Sequence, residues 1–146
     1  MSLFSSEYPV LGNATVVNDN TLGQVKPLTE QIITVSGLVA ASTSLDVLVA
    51  QYPIQVSGVS VTFGTASSSG TADLVKMTGT TAVASGTSTL TGTMSLAGTA
   101  NTPVNGTLSS TVANLQLAKG DRLGVKLGGT LTSLVNCNVT IRFIKL

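Results

Sequence analysis

The chain has 146 residues, of which 42% are hydrophobic and only 9% charged, with a net charge of +1 and no histidine. That charge fraction is far below the roughly 25% of ordinary soluble domains, and the apolar content argues against disorder, which combines few apolar residues with many charges. Cations scattered along the chain give no basic footprint for nucleic acid, and no apolar run reaches the ~18–20 residues of a membrane-spanning helix.

A transmembrane barrel usually carries aromatic girdles, and here aromatics are 3% with no tryptophan, so the membrane is excluded as a partner despite a mean hydropathy of +0.45. Ser and Thr, about a quarter of the chain, take the place of charge beside 15 glycines. The length is that of one domain with a single core. So few charges imply that much of the surface is hidden in an oligomer or larger assembly. No charged n-region and apolar h-region open the chain, so no secretory signal is expected.

Residues 1–29 read differently from the rest. Pro9, Pro27, Gly12, Gly23 and the polar run Asn18-Asp19-Asn20 leave no sustained period, the composition of an extended arm punctuated by turns. The arm carries one apolar cluster, Tyr8-Pro9-Val10-Leu11, that a free tail has little reason to keep. Two readings stand: a frayed terminus or first edge strand, and an arm that orders on a neighbouring subunit or partner. On the second, Tyr8, Pro9, Val10 and Leu11 are the candidate contact residues.

Residues 30–146 carry β patterns throughout. Gln31 to Val35 is a β-branched run, and Leu45 to Val49 a second strand. Tyr52-Pro53 marks a corner, because proline cannot donate to a ladder. Ile54, Val56, Val59, Val61 and Phe63 follow as a long strand whose alternation slips at Gly58, the signature of a bulge. Gly64 to Gly70 reads as a flexible loop, and Thr71 to Met77 as a strand with Ala72, Leu74 and Val75 inward. Residues 78–107 form a belt of Gly-Thr pairs at spacings of 7, 6, 6 and 8, too irregular for a solenoid. Leu90, Met94 and Leu96 are its inward anchors, and Asn105-Gly106 a two-residue turn. A strand is expected over 108–112.

The clearest alternation is Leu115-x-Leu117 and Leu123-x-Val125-x-Leu127 around Gly120-Asp121, which predicts a hairpin with Lys119, Arg122 and Lys126 pointing outward or capping the turn. Val135 to Phe143 closes the chain with its odd positions on one face, and Cys137 among them reads as a buried core thiol. No helical period lasts the ~10–12 residues a helix needs. About eight short antiparallel strands with a turn signal every 8–12 residues predict an all-β fold, a jelly-roll-like sandwich or barrel over 30–146 preceded by the arm at 1–29.

The residues of catalysis are scarce. Histidine, the commonest general base and metal ligand, is absent. Glu7, Asp19, Glu30, Asp46, Asp73 and Asp121 lie more than ten residues from one another in sequence, Cys137 has no histidine to activate it, and the serines have no base but lysine. Asn18-Asp19-Asn20 lacks the glycine and closing glutamate of a calcium loop, and Gly64 to Gly70 lacks the Lys-Ser/Thr of a phosphate loop. No catalytic residue, metal site or cofactor is expected.

The stretch from Gly92 to Ser109, rich in Gly and Thr, continues through Ala113-Asn114-Leu115-Gln116-Leu117-Ala118-Lys119-Gly120-Asp121-Arg122-Leu123. It resembles the C-terminal half of small tailed-phage structural proteins, in which such a region leads into L-x-L-x-x-G-D-x-L and a closing strand. The resemblance covers roughly residues 45–146 and leaves the arm outside it. It implies a bacteriophage head decoration (cement) protein: a homotrimeric jelly roll made in the host cytoplasm that binds the major capsid protein on the virion surface. The alternative is a fibre or surface module that binds a receptor or glycan, for which the chain offers few aromatics. An enzyme of the double-sheet type is disfavoured by the missing histidine.

Overall fold

The computed structural model describes residues 29–146. Ten strands, one 3-10 turn and one α-helical turn follow in chain order: β1 (Glu30–Leu38), β2 (Leu45–Val49), β3 (Ile54–Thr62), β4 (Thr71–Met77), the 3-10 turn (Val83–Ser85), β5 (Thr87–Ser88), β6 (Met94–Ser95), β7 (Val104–Asn105), α1 (Val112–Leu115), β8 (Gln116–Leu117), β9 (Arg122–Gly128) and β10 (Cys137–Lys145). They make two antiparallel sheets. One runs β1-β10-β3, with both β7 and β8 on the far side of β3; the other runs β2-β9-β4, with both β5 and β6 on the far side of β4. The fold is therefore an all-β, jelly-roll-like sandwich, as the strand pattern predicts. The strands number ten, against about eight expected, and three of them are two-residue strands within the Gly-Thr belt.

The core lies between the sheets. Ile54, Val56, Val59, Val61 and Phe63 from β3 and its end meet Leu74 from β4, Leu123 and Val125 from β9, and Val139 and Ile141 from β10, all buried. The slip at Gly58 is a bulge: Arg142 pairs with Gly58 and Phe143 with Val56, leaving Ser57 unpaired. The bulge lets Val56 and Val59, three residues apart, both face inward. Leu90, Met94 and Leu96 anchor the belt, buried as expected. Val75 and Met77 are buried on the other face of β4, where Gly86 lies against both.

Five expectations are corrected. The Gly120-Asp121 turn is not a hairpin: β8 pairs with β3 in one sheet and β9 with β2 and β4 in the other. The turn carries the chain across the core, stapled by Gly120 N donating to Ala50 O at 2.8 Å and Ala50 N donating to Asp121 O at 2.8 Å. Leu117 and Leu123 are buried all the same, because inward alternation is identical whether the partner strand is next door or across the sandwich. Asn105-Gly106 is not a tight turn either; Gly106 N donates to Val59 O at 2.9 Å, so the chain continues along β3.

The segment 64–70 is pinned rather than free. Gly64 N donates to Val135 O at 2.9 Å, and buried Ser67 Oγ donates to Leu96 O at 3.0 Å while accepting from Gly70 N at 2.8 Å. Over 108–112 there is only a bridge from Leu108 to Leu90, after which Val112–Leu115 makes one helical turn that buries Leu115. Val135 does not share the face of Cys137 to Phe143: Asn136, at φ +52°, breaks the extended run, and Val135 is left 42% exposed. Among the described residues no buried side-chain polar atom lacks a partner.

Candidate functional site

The two sheets close differently at their two flanks. On one side, the short strands β5 to β8 and the Leu90–Leu108 bridge cover the margins of β3 and β4. On the other, β1 and β2 are the terminal strands of their sheets, and no described residue pairs with their outer edges. Between them runs a groove enclosing about 180 Å³. A free strand edge is a template for a further strand, which native folds normally cover or blunt.

Ile33 from β1, Leu48 from β2, Ile54 from β3 and Phe143 from β10 line the groove, with Ile32 and Val49 beside them at 63% and 47% exposure. In β1 the alternation puts Ile33 opposite Ile141, and Ile32 opposite Arg142. Consecutive apolar residues in an edge strand must show one side chain to solvent, and Ile32 is that one. Tyr52 spans the groove's end: its hydroxyl donates to Gln31 Oε1 at 3.3 Å, and Lys145 Nζ sits 4.6 Å from its ring centroid. The lining carries no ionisable side chain except the Tyr52 phenol. Its volume is below the roughly 300–1,000 Å³ of small-molecule sites, so it suits protein side chains better than a cofactor.

The charged residues serve the scaffold. Glu30 accepts from Ser57 Oγ at 2.6 Å, Asp73 from Ser88 Oγ at 2.7 Å, and Asp121 from Ala118 N at 2.9 Å. Asp46 points outward as expected and pairs with Arg122 at 2.8 Å. Lys126 Nζ donates to Ala84 O at 2.9 Å and Arg122 to Gly79 O and Thr81 O, so two cations of β9 tie down the loop after β4. Lys76 donates to Ala113 O at 3.0 Å, within a second depression that also holds Asp121. Arg122 and Lys126, expected to point outward or cap the turn at Gly120, instead hold this separate loop. Among the described residues no three His, Cys, Asp or Glu side chains gather as a metal site, and no helix is long and apolar enough to cross a membrane. Cys137 is fully buried, and burial pushes its thiol up to about 11.

The candidate contact residues Tyr8, Pro9, Val10 and Leu11 lie outside the described residues. The groove escaped the sequence reading because four separate elements build it. Its traces in the sequence are the doublets Ile32-Ile33 and Leu48-Val49, where strict alternation fails. No family model, curated protein or solved structure matches the chain.

Proposed function

We propose that this protein is a non-enzymatic capsid decoration protein, a homotrimer that binds the major capsid protein on the outside of a phage head and stabilises the assembled shell. The observation that carries this reading is how the polar groups are spent. Each described carboxylate is bonded to a neighbouring part of the scaffold, while Ile32, Val49, Val112, Val135 and Leu146 stay at the surface. Such a surface offers contact area instead of chemistry. A cement protein needs only that, because binding the assembled state and not the free subunits stabilises assembly by mass action. A closed trimer would bury Thr-, Ser- and Val-rich faces between copies. The resemblance of residues 45–146 to tailed-phage structural proteins supports the same reading.

The test is co-sedimentation with tailed-phage heads lacking their decoration protein, run beside a glycan array. Binding to heads with no glycan signal is expected, and deletion of residues 1–20 should leave a folded oligomer that no longer binds. Glycan binding without head binding would overturn the proposal in favour of a fibre or receptor-binding module. Normal decoration by the truncated protein would remove Tyr8 to Leu11 from the contact.

A further inference from the structure

We infer that Asn105-Gly106 is a self-modification site held shut by the pairing of β7 with β3, and that it converts through a succinimide to aspartate or isoaspartate when β7 peels away. It is the one Asn-Gly pair in the chain. In such a pair the glycine's main-chain nitrogen can attack the asparagine side-chain carbonyl, because no Cβ shields it. Gly106 N bonds to Asn105 Cγ, and Nδ2 leaves as ammonia. Solvent water then opens the five-membered ring at either of its two carbonyls. One opening gives aspartate; the other routes the main chain through the former side chain and gives isoaspartate.

The side-chain carbonyl is open to solvent, whereas the attacking nitrogen is not free. Asn105 is exposed, and a depression of about 320 Å³ lined by Thr91, Met94, Val104, Asn105 and Gly106 brings water to the pair. Gly106 N, however, donates to Val59 O at 2.9 Å. With Asn105 facing Ser60 and Val104 facing Val61, the register also keeps Asn105 extended, which turns the next nitrogen away from Cγ. Ring closure needs rotation about the Asn105 Cα–C bond, and the pairing forbids it. Packing requires the glycine: a Cβ at 106 would lie 2.7 Å from Val59 Cγ1 and 3.0 Å from Leu90 Cδ2, both on buried residues. The guard is thus the pairing of a two-residue strand, an element from the low-stability end of local opening. Isoaspartate makes the main chain one methylene longer between Val104 and Gly106. Gly106 N then no longer meets Val59 O while Val104 faces Val61, so the opening becomes permanent. The inference rests on a bond within one chain and not on capsid binding.

The experiment incubates the full-length protein at mildly alkaline pH, folded and in denaturing guanidinium, and follows residue 105 by fragmentation mass spectrometry that separates aspartate from isoaspartate. Conversion of the folded protein should run roughly tenfold slower or more, the ratio that about 1.4 kcal/mol of opening cost gives. Equal rates, or no conversion in guanidinium, overturn the inference. A second arm separates β7 opening from global unfolding. Across sub-denaturing guanidinium the rate should rise with a shallower slope than the unfolding equilibrium, because peeling two residues exposes little surface. A slope equal to the global one overturns the local route. In a third arm, Val104→Ala removes the half-buried side chain that anchors β7 and should speed conversion several-fold while hydrogen exchange at Leu74 and Val125 holds. An unchanged rate with the core intact contradicts the inference; if exchange at Leu74 and Val125 shows the variant's core to be lost, the guanidinium slope decides.

Discussion

Arg122 and Asp46 form an ion pair across β9 and β2, Nη1 to Oδ2 at 2.8 Å, and the same guanidinium donates through Nη2 to Thr81 O at 2.6 Å and Gly79 O at 3.3 Å. The Asp46 side chain is 50% exposed and that of Arg122 only 23%. An exposed pair is worth about 0–1 kcal/mol, whereas hydrogen bonds from a charged donor are worth about 1.5–3 kcal/mol. Asp46→Ala should therefore cost under about 1 kcal/mol and Arg122→Ala about 1.5–3 kcal/mol. Urea midpoints at unchanged slope provide the check. Equal losses would mean that the ion pair, and not the clamp on the loop after β4, is what Arg122 contributes.

Two glycines with positive φ should respond differently to a methyl group. Gly129 sits at φ +69°, where an added Cβ would overlap the carbonyl oxygen of Ser69, and Gly120 sits at φ +92° with open space around it. Gly120→Ala should cost about 1–2 kcal/mol, the penalty of a left-handed backbone for an L-residue. Gly129→Ala adds a backbone clash and should cost about 1–3 kcal/mol more. Thermal midpoints measured side by side would sink this ordering if Gly120→Ala proved the worse variant.

Cys137 makes stability depend on alkaline pH. Its thiol is raised from the ordinary 9.0 to about 11 by burial, so the native state keeps its proton where the unfolded chain has lost it. The contribution is complete below pH 9 and is lost as pH climbs from 9 to about 11, at roughly 1.4 kcal/mol per unit. Unfolding free energy should fall across that window in the parent and less steeply in Cys137→Ala, once the latter's constant cavity cost is subtracted. Parallel profiles would contradict the assignment. Native Cys137 should also resist thiol reagents until the protein unfolds.

The fold class was legible because period-2 alternation records which side chains meet the core, and Leu74, Leu96, Leu117, Leu123 and Ile141 all lie where it puts them. Strand partners were not legible in the same signal. Leu117 and Leu123 alternate as a hairpin would, yet belong to different sheets, because the contacts that separate them run through the distant Ala50. Asn105-Gly106 carries turn chemistry but is held straight by Val59, a tertiary partner no local window contains. The groove was hidden for the same reason. Its lining comes from residues 31–33, 48–52, 54 and 143, so only the paired order of the strands brings it together.

The claim at the centre of this account is that the charge-poor surface is covered by other copies in a closed trimer. Light scattering on the purified full-length protein at micromolar concentration tests it most directly. The account predicts a mass near three times 14.7 kDa, unchanged on dilution. A stable 14.7 kDa species at every concentration would contradict it.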